Sequence, residues 1–537
     1  MVEKGISEQA QVENVVQEAR DATEYEHKMT LWEGIKLYPK AMGWSVLLSS
    51  ALIMEGYDTA LLTGFYASPA FAKKYGKAVP SSNPPSWQIP VWWQVGLSNG
   101  ASCGEILGLF AAGIISERIG YRWTLIGALI LLICFVFIVF FARNIQVLLV
   151  GEMLCGIPWG VFQTLTTTYA SEVCPVVLRA YLTTYVNVCW VFGQLIASGV
   201  LRALVNKGPD DEWAFRIPFA LQWLWPPPLI IGIFLAPESP WWLIRHRRPQ
   251  AAFRSLKRLT RKRNTDFDVE KTVSMMIHTN HLEKEMQSGV SYRDLFKGTN
   301  LRRTEIASMV WAIQNLCGSP LIGYSAYFLE QAGLAVSSAF DITVTQYGLG
   351  IIGLCVSWVL MKYFGRRTLY ILGLTILTTL LLIIGCLSLG PKSNSGFAWA
   401  IGSMILGYTF VYDFSIGPVC YSLVPEIAAS RVRTKSTVFA RNVYNLVGIM
   451  NASITPYMLN PTAWGWGAKT GFFWAGICFL SLVWTYFRLP EPKGRTFAEL
   501  DVLFECKVSA RKFKTTEVDP FELYPTVSIE DVPFYSN

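Results

Sequence analysis

The chain has 537 residues, of which 52% are hydrophobic, 14% are aromatic and only 16% are charged. This composition excludes a soluble multidomain protein and indicates a chain that crosses a membrane many times. The formal net charge of +8 does not indicate nucleic-acid binding, because most of the excess lies in short loops between apolar runs, so no nucleic acid is expected as a partner.

Twelve apolar runs follow one another along the chain, each near the roughly 20 residues needed to cross about 30 Å of hydrocarbon. In chain order they lie near 43–66, 91–116, 122–142, 145–168, 181–203, 213–236, 306–331, 343–363, 367–389, 397–425, 436–459 and 469–489. The runs lack the alternation of barrel strands, and backbone polar groups in lipid must be bonded within their own segment, so each run is predicted to be a helix. The expected fold is an all-α membrane protein with 12 transmembrane helices spanning the lipid bilayer.

Basic residues mark one side of the predicted bundle. Arg122, Arg179, Arg366 and the run "RHRRPQAAFRSLKRLTRKR" (245–263) all lie on that side, which the positive-inside rule assigns to the cytoplasm. An even number of spans then puts both termini in the cytoplasm. The polar start of the chain has no apolar stretch after a basic one, so no cleaved signal peptide is expected.

The second half of the chain repeats motifs of the first. At nearly constant separation, "GIISERIGYRW" (113–123) corresponds to "VLMKYFGRRTL" (359–369), "YASEVCPVVLR" (169–179) to "VPEIAASRVR" (424–433), and "PESP" (237–240) to "PEPKGR" (490–495). This repetition predicts a duplicated six-helix unit. The expected organisation is a cytoplasmic N-terminal segment (1–42), a six-helix half (43–236), a cytoplasmic linker (237–305), a second six-helix half (306–489) and a cytoplasmic tail (490–537).

Two carboxylates interrupt the first apolar run, "LIMEGYDTALLTG" (52–64). An ionised side chain in the bilayer core costs at least about 2.5–3.5 kcal/mol, so Glu55 and Asp58 are expected to face a protein interior. Glu105 and Arg441 are a further acid and a base inside predicted spans. Buried acids with an arginine within reach can exchange a proton near physiological pH, so these four residues predict a proton-coupling site.

The motifs of the chain resemble those of the sugar porter family of the major facilitator superfamily. The matching stretches are "GYD" (56–58), "GIISERIGYR" (113–122), "PESPWWL" (237–243) and "PEPKGRT" (490–496). Others, among them "MEGYDTALLTGFYASP" and "ITPYMLNPTAWGWGAKTG", are similar to the fungal α-glucoside permeases, the maltose:proton symporters of yeasts. The resemblance implies the major facilitator fold with two six-helix halves, a multi-pass protein of the plasma membrane, and a sugar and a proton as transported partners.

The resemblance also implies roles for the buried charges. The first-helix aspartate, Asp58, is the proton-coupling residue, and its usual partner is an arginine that opens the fourth helix. Glu152 occupies that position here, so Arg441 is the expected cationic partner of Glu55, Asp58 and Glu105. Glu152 and Asp413 are the acids least expected to be functional, Glu152 because a position near a helix end could keep its side chain in water.

A pyranose offers hydroxyl edges to amides and flat C–H faces to aromatic rings. By alignment to the family, the expected sugar contacts are Asn187, Gln194, Gln314, Asn315 and Tyr421, with Tyr324 and Asn445 as weaker candidates. Asn315, Pro320 and Tyr421 shorten or remove side chains relative to the family pattern. A smaller lining suits a larger substrate, which favours a disaccharide over a hexose.

The loop motifs predict a gate at the cytoplasmic helix ends. Charge-assisted pairs between adjacent helices would hold it shut and break when the halves rock apart. Its expected members are Glu117, Arg118, Arg122, Glu172, Arg179, Glu238, Arg366, Glu426 and Arg433. Lys362 replaces the acid expected in the second copy, so the symmetry of the gate is in question.

The expected function is proton-coupled import of an α-glucoside disaccharide such as maltose by alternating access. The proton is the coupling ion, no metal or other cofactor is expected, and the expected state is a monomer. The alternatives are an uncoupled facilitator, a β-disaccharide or hexose transporter of the same fold, and a non-transporting sugar receptor, which fold alone does not separate. An enzyme is not expected, since the sequence offers no nucleophile–base pair, metal spacing or phosphate loop.

Overall fold

Twelve membrane-spanning segments, numbered here 1 to 12 in chain order, make up the computed structural model. The structure describes residues 28–79, 86–261, 267–287, 291–391, 395–429, 432–493 and 497–516, with Asp21, Ala22, Tyr25 and Arg495 besides. The helices of segments 1 to 6 are Pro39–Ser49 with Leu52–Phe65, Val91–Ile119, Tyr121–Phe140, Ile145–Val173, Val176–Leu204, and Trp213–Leu221 with Pro226–Leu235. Those of segments 7 to 12 are Gly298–Leu316 with Pro320–Gly323 and Ser325–Gln331, Val336–Tyr363, Arg366–Leu387, Ser395–Phe414 with Ile416–Ile427, Arg433–Leu459, and Thr470–Arg488.

Shorter elements connect these segments. Strands β1 (Lys77–Val79) and β2 (Ser86–Gln88) form an antiparallel hairpin that pairs Ala78 with Trp87. The short helices are Leu31–Leu37, Pro69–Tyr75, Pro240–Arg245, Pro249–Leu259, Val269–Gln287 and Phe497–Glu505. Single 3-10 turns lie at Gln222–Leu224, Tyr292–Phe296, Gly467–Lys469 and Ala510–Lys512. All twelve predicted spans are helical, as the sequence predicts.

Three segments differ from ordinary lipid-facing helices. Among the described residues, nine helices are long and apolar enough to cross a membrane, and segments 1, 7 and 11 are not among them. Segment 1 is interrupted after Ser49, segment 7 is interrupted near Gly318, whose φ is 103°, and segment 11 is rich in polar side chains. The same three segments carry Glu55, Gln314 and Arg441, so the departures from regular apolar helix coincide with the predicted site.

Segment 6 is also broken, where the sequence predicts one continuous span. Its first helix ends in the 3-10 turn at Gln222–Leu224, because the run of prolines that starts at Pro226 suits the first turn of a helix but cannot continue a preceding one. In this turn the backbone N–H of Gln222 donates to the carbonyl groups of Phe219 and Ala220. The carbonyl of Pro218 instead accepts a hydrogen bond from the Tyr57 hydroxyl at 2.8 Å, which ties segment 6 to segment 1.

Reciprocal glycines pack the helices of the first half backbone to backbone. A Cβ atom at Gly56 would overlap the carbonyl of Trp190, and one at Gly193 would overlap the carbonyl of Ile53. Segments 1 and 5 therefore cross at the closest approach that helices allow, as small residues permit in membranes. Segments 2 and 4 cross in the same way through Gly104, Gly108, Gly156 and Gly160.

Gly56→Ala is expected to lower the free energy of unfolding by about 1–3 kcal/mol, because the added methyl group meets a rigid carbonyl. The protein is purified in detergent, and the measurement is the temperature at which heating reduces its monodisperse chromatographic peak to half. Gly127→Ala is the matched control, since a Cβ atom there meets nothing within 4 Å. A Gly56→Ala protein as heat-resistant as the Gly127→Ala protein would contradict the close crossing.

The two halves meet mainly where segment 2 packs on segment 11 and segment 5 packs on segment 8. One end of the bundle carries Arg122, Arg179 and Arg366 and is called the basic face below. The other end carries β1 and β2 and is called the opposite face. Segments 1, 2, 4, 7 and 11 border the space between the halves, where the site described next is found.

Candidate functional site

Arg441 links the two halves in the interior of the bundle. Its Cζ atom lies 4.6 Å from the ring centroid of Trp311 and 4.4 Å from that of Tyr444. The guanidinium donates to Oε1 of Gln163 at 3.2 Å, and Nε2 of Gln163 donates to Oε1 of Glu55 at 2.5 Å. Gln163 in segment 4 therefore bridges a cation of the second half and an acid of the first half.

Glu55 and Glu105 share this cation. Glu55 is only 3% exposed, and Arg441 acts electrostatically on both acids. The second carboxyl oxygen of Glu55 has no hydrogen-bond partner among the described residues. A buried carboxylate is costly unless it is paired, so Arg441 and Gln163 together make this position tenable. The structure brings Glu55, Glu105 and Arg441 together as the sequence predicts, and their part in proton coupling stays a prediction.

Asp58 has other neighbours than those expected. It is 3% exposed, accepts a hydrogen bond from Nε2 of Gln222, and faces the carboxyl group of Glu152. Among the described residues no hydrogen bond or ion pair joins Arg441 to Asp58, whereas Arg441 donates to Gln163, which donates to Glu55, one turn away on the same helix. The expected partnership of Arg441 with Asp58 stays a prediction.

Glu152 lies well inside the helix Ile145–Val173 and is 1% exposed, so the prediction that water reaches it near a helix end is wrong. Segments 2 and 3 pack on segment 4 and cover this turn. Asp413 is similarly buried, at 5% exposure, and its carboxyl group lies against Gly350 of segment 8.

Three of the five amides predicted to bind sugar, Gln314, Asn315 and Asn445, lie on segments 7 and 11. Nε2 of Gln314 donates to the Gly417 carbonyl at 3.1 Å, and Nδ2 of Asn315 donates to the Tyr444 carbonyl at 3.2 Å. Oε1 of Gln314 and Nδ2 of Asn445 are buried and have no hydrogen-bond partner among the described residues. These two atoms are a free acceptor and a free donor on the segments that carry Trp311 and Tyr444, the rings that pack on Arg441. Arg441 and these two rings are called the Arg441 cluster.

The other predicted sugar contacts lie around this cluster or away from it. Tyr421 packs edge-on against Trp311, with ring centroids 4.8 Å apart, and so belongs to the cluster. Gln194 is buried and Asn187 is partly buried in segment 5. The Tyr324 hydroxyl lies 2.9 Å from the Ser98 hydroxyl in the other half, so it takes part in a contact between the halves near the opposite face.

At the basic face, the described ion pairs among the predicted gate residues lie within one half. Glu172 pairs with Arg245 at 2.7 Å, and Arg366 pairs with Glu426 at 3.2 Å. Glu117 and Arg118 are exposed, and Nε of Arg179 has no partner in the described part of the chain. The side chain of Arg433 lies outside the described residues. Arg366–Glu426 joins segments 9 and 10 of the second half, and Glu172–Arg245 joins segment 4 to the short linker helix Pro240–Arg245. The part of the predicted residues in a gate stays a prediction.

Glu238 shows how the duplicated motifs work. Its carboxylate accepts hydrogen bonds from the backbone N–H groups of Tyr121 at 3.1 Å and Arg122 at 3.3 Å, at the first turn of segment 3. An acid is stabilising there because helix N-termini carry unpaired N–H groups and partial positive charge. Burial raises the pKa of Glu238, while these N–H donors oppose that shift.

Glu491 does the same for segment 9, accepting from the N–H groups of Arg366 at 2.9 Å and Arg367 at 3.1 Å. A Cβ atom at Gly120 would overlap the Glu238 carboxylate, and one at Gly365 would overlap that of Glu491. The two glycines thus make room for the two acids. Sequence reasoning missed Glu491 as a member of this arrangement, although the pairing of "PESP" with "PEPKGR" contained the signal.

Gln163 and Gln222 are the other residues that sequence reasoning missed. Each donates a side-chain hydrogen bond to a buried carboxylate of segment 1, Gln163 to Glu55 and Gln222 to Asp58. Both are glutamines inside apolar runs, as are the amides that were predicted. Their positions in the sequence do not distinguish them from other amides in apolar runs. Only the packing of segments 4 and 6 on segment 1 does so.

Comparison with known proteins agrees with this architecture. Residues 44–504 match the family model described as sugar (and other) transporter. A maltose permease of Saccharomyces cerevisiae is 45% identical over 513 residues, which cover 95% of this chain and 83% of that relative. An alpha-glucosides permease of the same species is 46% identical over 512 residues, covering 95% of this chain and 84% of the relative.

Two solved structures of the xylose transporter XylE from E. coli share the fold. The partially occluded inward open conformation has a TM-score of 0.68 at 18% identity, covering 86% of this chain and 99% of that one. The proton:xylose symporter bound to 6-bromo-6-deoxy-D-glucose has a TM-score of 0.66 at 20% identity, covering 87% and 99%. These likenesses confirm the predicted major facilitator fold of two six-helix halves. With the family match over most of its length and its identity to permeases, the chain belongs to the sugar transporter family.

Proposed function

We propose that this protein imports an α-glucoside disaccharide, such as maltose, together with a proton, by alternating access across the plasma membrane. The observation that carries the proposal is the chain of contacts Arg441–Gln163–Glu55. It joins the two halves inside the membrane with ionisable groups, so a change in protonation acts where the halves must separate. The proton is the coupling ion, and the monomer is the proposed working unit.

The sugar is proposed to bind beside this chain of contacts. The unpaired acceptor of Gln314 and the unpaired donor of Asn445 match sugar hydroxyl groups. The rings of Trp311, Tyr421 and Tyr444 form the aromatic surface that pyranose faces prefer. Relatives named for maltose and alpha-glucosides support a disaccharide of this class.

The basic face is proposed to be cytoplasmic, which places both termini in the cytoplasm. At the opposite face, three side-chain contacts cross between the halves: Arg202 to Asp341 at 2.6 Å, Asn99 to Ser453 at 2.8 Å, and Ser98 to Tyr324 at 2.9 Å. The gate pairs at the basic face stay within a half. One contact also crosses nearer the basic face, from Nε1 of Trp358 to the Thr184 hydroxyl at 2.9 Å. The three contacts at the opposite face support closure to the outside, and opening there requires the Arg202–Asp341 pair to separate.

Arg202→Ala is expected to lower the half-saturating external sugar concentration in counterflow by up to about fivefold, because an exposed ion pair is worth at most about 1 kcal/mol and its loss raises the outward-open fraction. The double variant Arg202→Asp with Asp341→Arg is expected to restore the original value. Lys207→Ala is the control, since Lys207 pairs at the same face with Asp211 of its own half. Equal effects of Arg202→Ala and Lys207→Ala would contradict a latch between the halves.

The experiment that tests the proposed function is sugar-induced alkalinisation of the medium by a yeast strain that lacks sugar transporters and expresses this chain. Maltose, trehalose, cellobiose, lactose and glucose are compared, with labelled-sugar uptake measured in the same cells. The expected result is uptake of maltose with medium alkalinisation. Sugar uptake without proton movement would indicate a facilitator, and sugar binding without either movement would indicate a receptor.

A further inference from the structure

Segments 5 and 8, one from each half, are tied to each other at both ends. Segment 5 begins at the basic face and segment 8 ends there, so the two helices run in opposite directions along the seam between the halves. At the opposite face Arg202 pairs with Asp341, and near the basic face Nε1 of Trp358 donates to the Thr184 hydroxyl at 2.9 Å. About five helical turns separate Thr184 from Arg202, which places the two contacts roughly 27 Å apart along segment 5.

The neighbours of Trp358 hold its indole ring towards segment 5. The ring is partly buried and packs edge-on against Tyr181, with ring centroids 6.4 Å apart. Thr184 is buried, and its own O–H donates to the Tyr181 carbonyl at 3.1 Å, which leaves the hydroxyl oxygen as an acceptor for Trp358. Tryptophans near a membrane surface commonly turn their N–H group towards water and lipid headgroups. Trp358 instead donates across the seam, so its hydrogen bond is a specific link between the halves.

The position of this link determines when it breaks. Alternating access requires the halves to part at one end while they meet at the other. Opening at the opposite face separates Arg202 from Asp341 and keeps the basic ends of segments 5 and 8 together. Opening at the basic face pulls Trp358 away from Thr184, and a displacement of about 1 Å already exceeds hydrogen-bonding distance. The described ion pairs of the predicted gate residues lie within one half and do not resist this movement.

We propose that Trp358 is a positioning residue of the transport cycle, which with Thr184 forms an inner latch between the halves. The inference rests on the proposed function. The inner latch is the counterpart of the Arg202–Asp341 pair at the other end of the same seam. It stabilises the states that are closed at the basic face, so its loss favours the inward-open state. Both of its members are neutral, so salt does not screen the inner latch as it screens an exposed ion pair.

The test is counterflow of labelled maltose in cells that express Trp358→Phe or Thr184→Val. The first variant keeps an aromatic ring and loses the N–H donor, and the second keeps the side-chain shape and loses the acceptor. Each is expected to raise the half-saturating external concentration about two- to fivefold, the effect of losing one hydrogen bond between membrane helices. Thr184→Ser keeps the acceptor and is expected to keep the wild-type value. Trp223→Phe is the matched control, since Nε1 of Trp223 donates to the Ile133 carbonyl of its own half.

The sign of the effect separates the inner latch from a general loss of stability. Arg202→Ala is expected to lower the same concentration, and effects at distant sites that share no partner add. The double variant Arg202→Ala with Trp358→Phe is therefore expected to lie closer to the wild type than either single variant. A lowered value for Trp358→Phe, or a value equal to that of Trp223→Phe, would overturn the inner latch. A change in Trp358→Phe that Thr184→Val does not share would overturn it as well, because the hydrogen bond needs both groups.

A second measurement does not depend on transport. Spin labels are attached to Arg248→Cys in the linker of the first half and Tyr363→Cys at the end of segment 8, two exposed positions at the basic face, after the exposed native cysteines are replaced by serine. Trp358→Phe is expected to increase the population with a longer distance between the labels, and Trp223→Phe is not. If the wild type carries no maltose and the labels still move apart, the proposed function fails and the inner latch stands. If maltose is carried and Trp358→Phe leaves the distances unchanged, the inner latch fails.

Discussion

Asp58→Asn is expected to abolish sugar-driven proton uptake and sugar accumulation while sparing the exchange of sugar across the membrane. The amide has nearly the shape of the carboxyl group but cannot bind or release a proton. Asp58 is 3% exposed and accepts a hydrogen bond from Gln222, so it has little contact with solvent in this conformation. The variant protein therefore has a permanently neutral side chain at this position, so it can cycle with sugar but cannot carry a proton.

The size of the effect follows from the driving force. A membrane potential of 100 mV is worth about 2.3 kcal/mol for each charge moved, which sustains an accumulation of roughly 50-fold for one proton per sugar. In the Asp58→Asn cells the ratio of internal to external sugar should fall to that of simple equilibration. Counterflow of labelled maltose into preloaded cells reports the retained exchange.

Asp210→Asn is the matched control for this experiment, because Asp210 is an exposed acid that pairs with Lys73 at the opposite face. It is expected to accumulate sugar as the wild type does. An Asp58→Asn protein that still alkalinises the medium on addition of maltose would show that the transported proton is held elsewhere, with Glu55 and Glu105 as the next acids to replace.

The sequence predicted the fold because the signal lies in long apolar runs and in repeated loop motifs. Helix existence follows from the need to bond every backbone group in lipid, and that rule holds in all twelve segments. The interruptions of segments 6 and 7 follow from local causes, a proline run beginning at Pro226 and a positive φ at Gly318. Such breaks occur inside runs that hydropathy alone treats as continuous.

Some residues of the site were predicted from the sequence and others were missed, and this division has a physical cause. Glu55, Glu105 and Arg441 stand out in sequence because a charge in an apolar run is rare, and the structure brings them together. Gln163 and Gln222 carry no charge, so nothing in their run distinguishes them from amides that face a neighbouring backbone. Their function as donors to Glu55 and Asp58 arises only from how segments 4 and 6 pack on segment 1.

The hydrogen-bond partner of Asp58 could not be chosen from the sequence for the same reason. Sequence reasoning assigned the one arginine well inside a span to all of these acids, because a sequence shows which charges are present but not which side chains lie in contact. In three dimensions, Gln163 directs Arg441 to Glu55, and Asp58 projects one turn further along, towards segments 4 and 6. A difference of one helical turn therefore separates an acid that shares a cation from one that has only a second carboxyl group and an amide.

Arg441→Gln is expected to reduce maltose uptake by at least about 100-fold, because Glu55 then loses the cation that reaches it through Gln163, and a buried charge left uncompensated costs about 3–5 kcal/mol. The loss has two parts. Glu55 is left buried beside Glu105 without a compensating charge, and the stacking on Trp311 and Tyr444, at 4.6 and 4.4 Å, is lost. A cation over an aromatic ring is worth about 0.5–2 kcal/mol, so the larger share belongs to the acids left without a compensating charge.

Two further variants separate these parts. Arg441→Lys retains the charge, but an ammonium group lacks the planar fork that lies on two rings while donating to Gln163, so uptake between that of the wild type and that of Arg441→Gln is expected. Adding Glu55→Gln to Arg441→Gln removes the unpaired acid and should restore surface abundance and sugar exchange without restoring proton coupling. Lys207→Gln, at an exposed lysine of the opposite face that pairs with Asp211 of its own half, controls for loss of positive charge in general. Full coupled uptake by Arg441→Gln would mean that the Arg441–Gln163–Glu55 contacts hold the halves together without taking part in transport, and Asp58 would then be the remaining candidate for proton coupling.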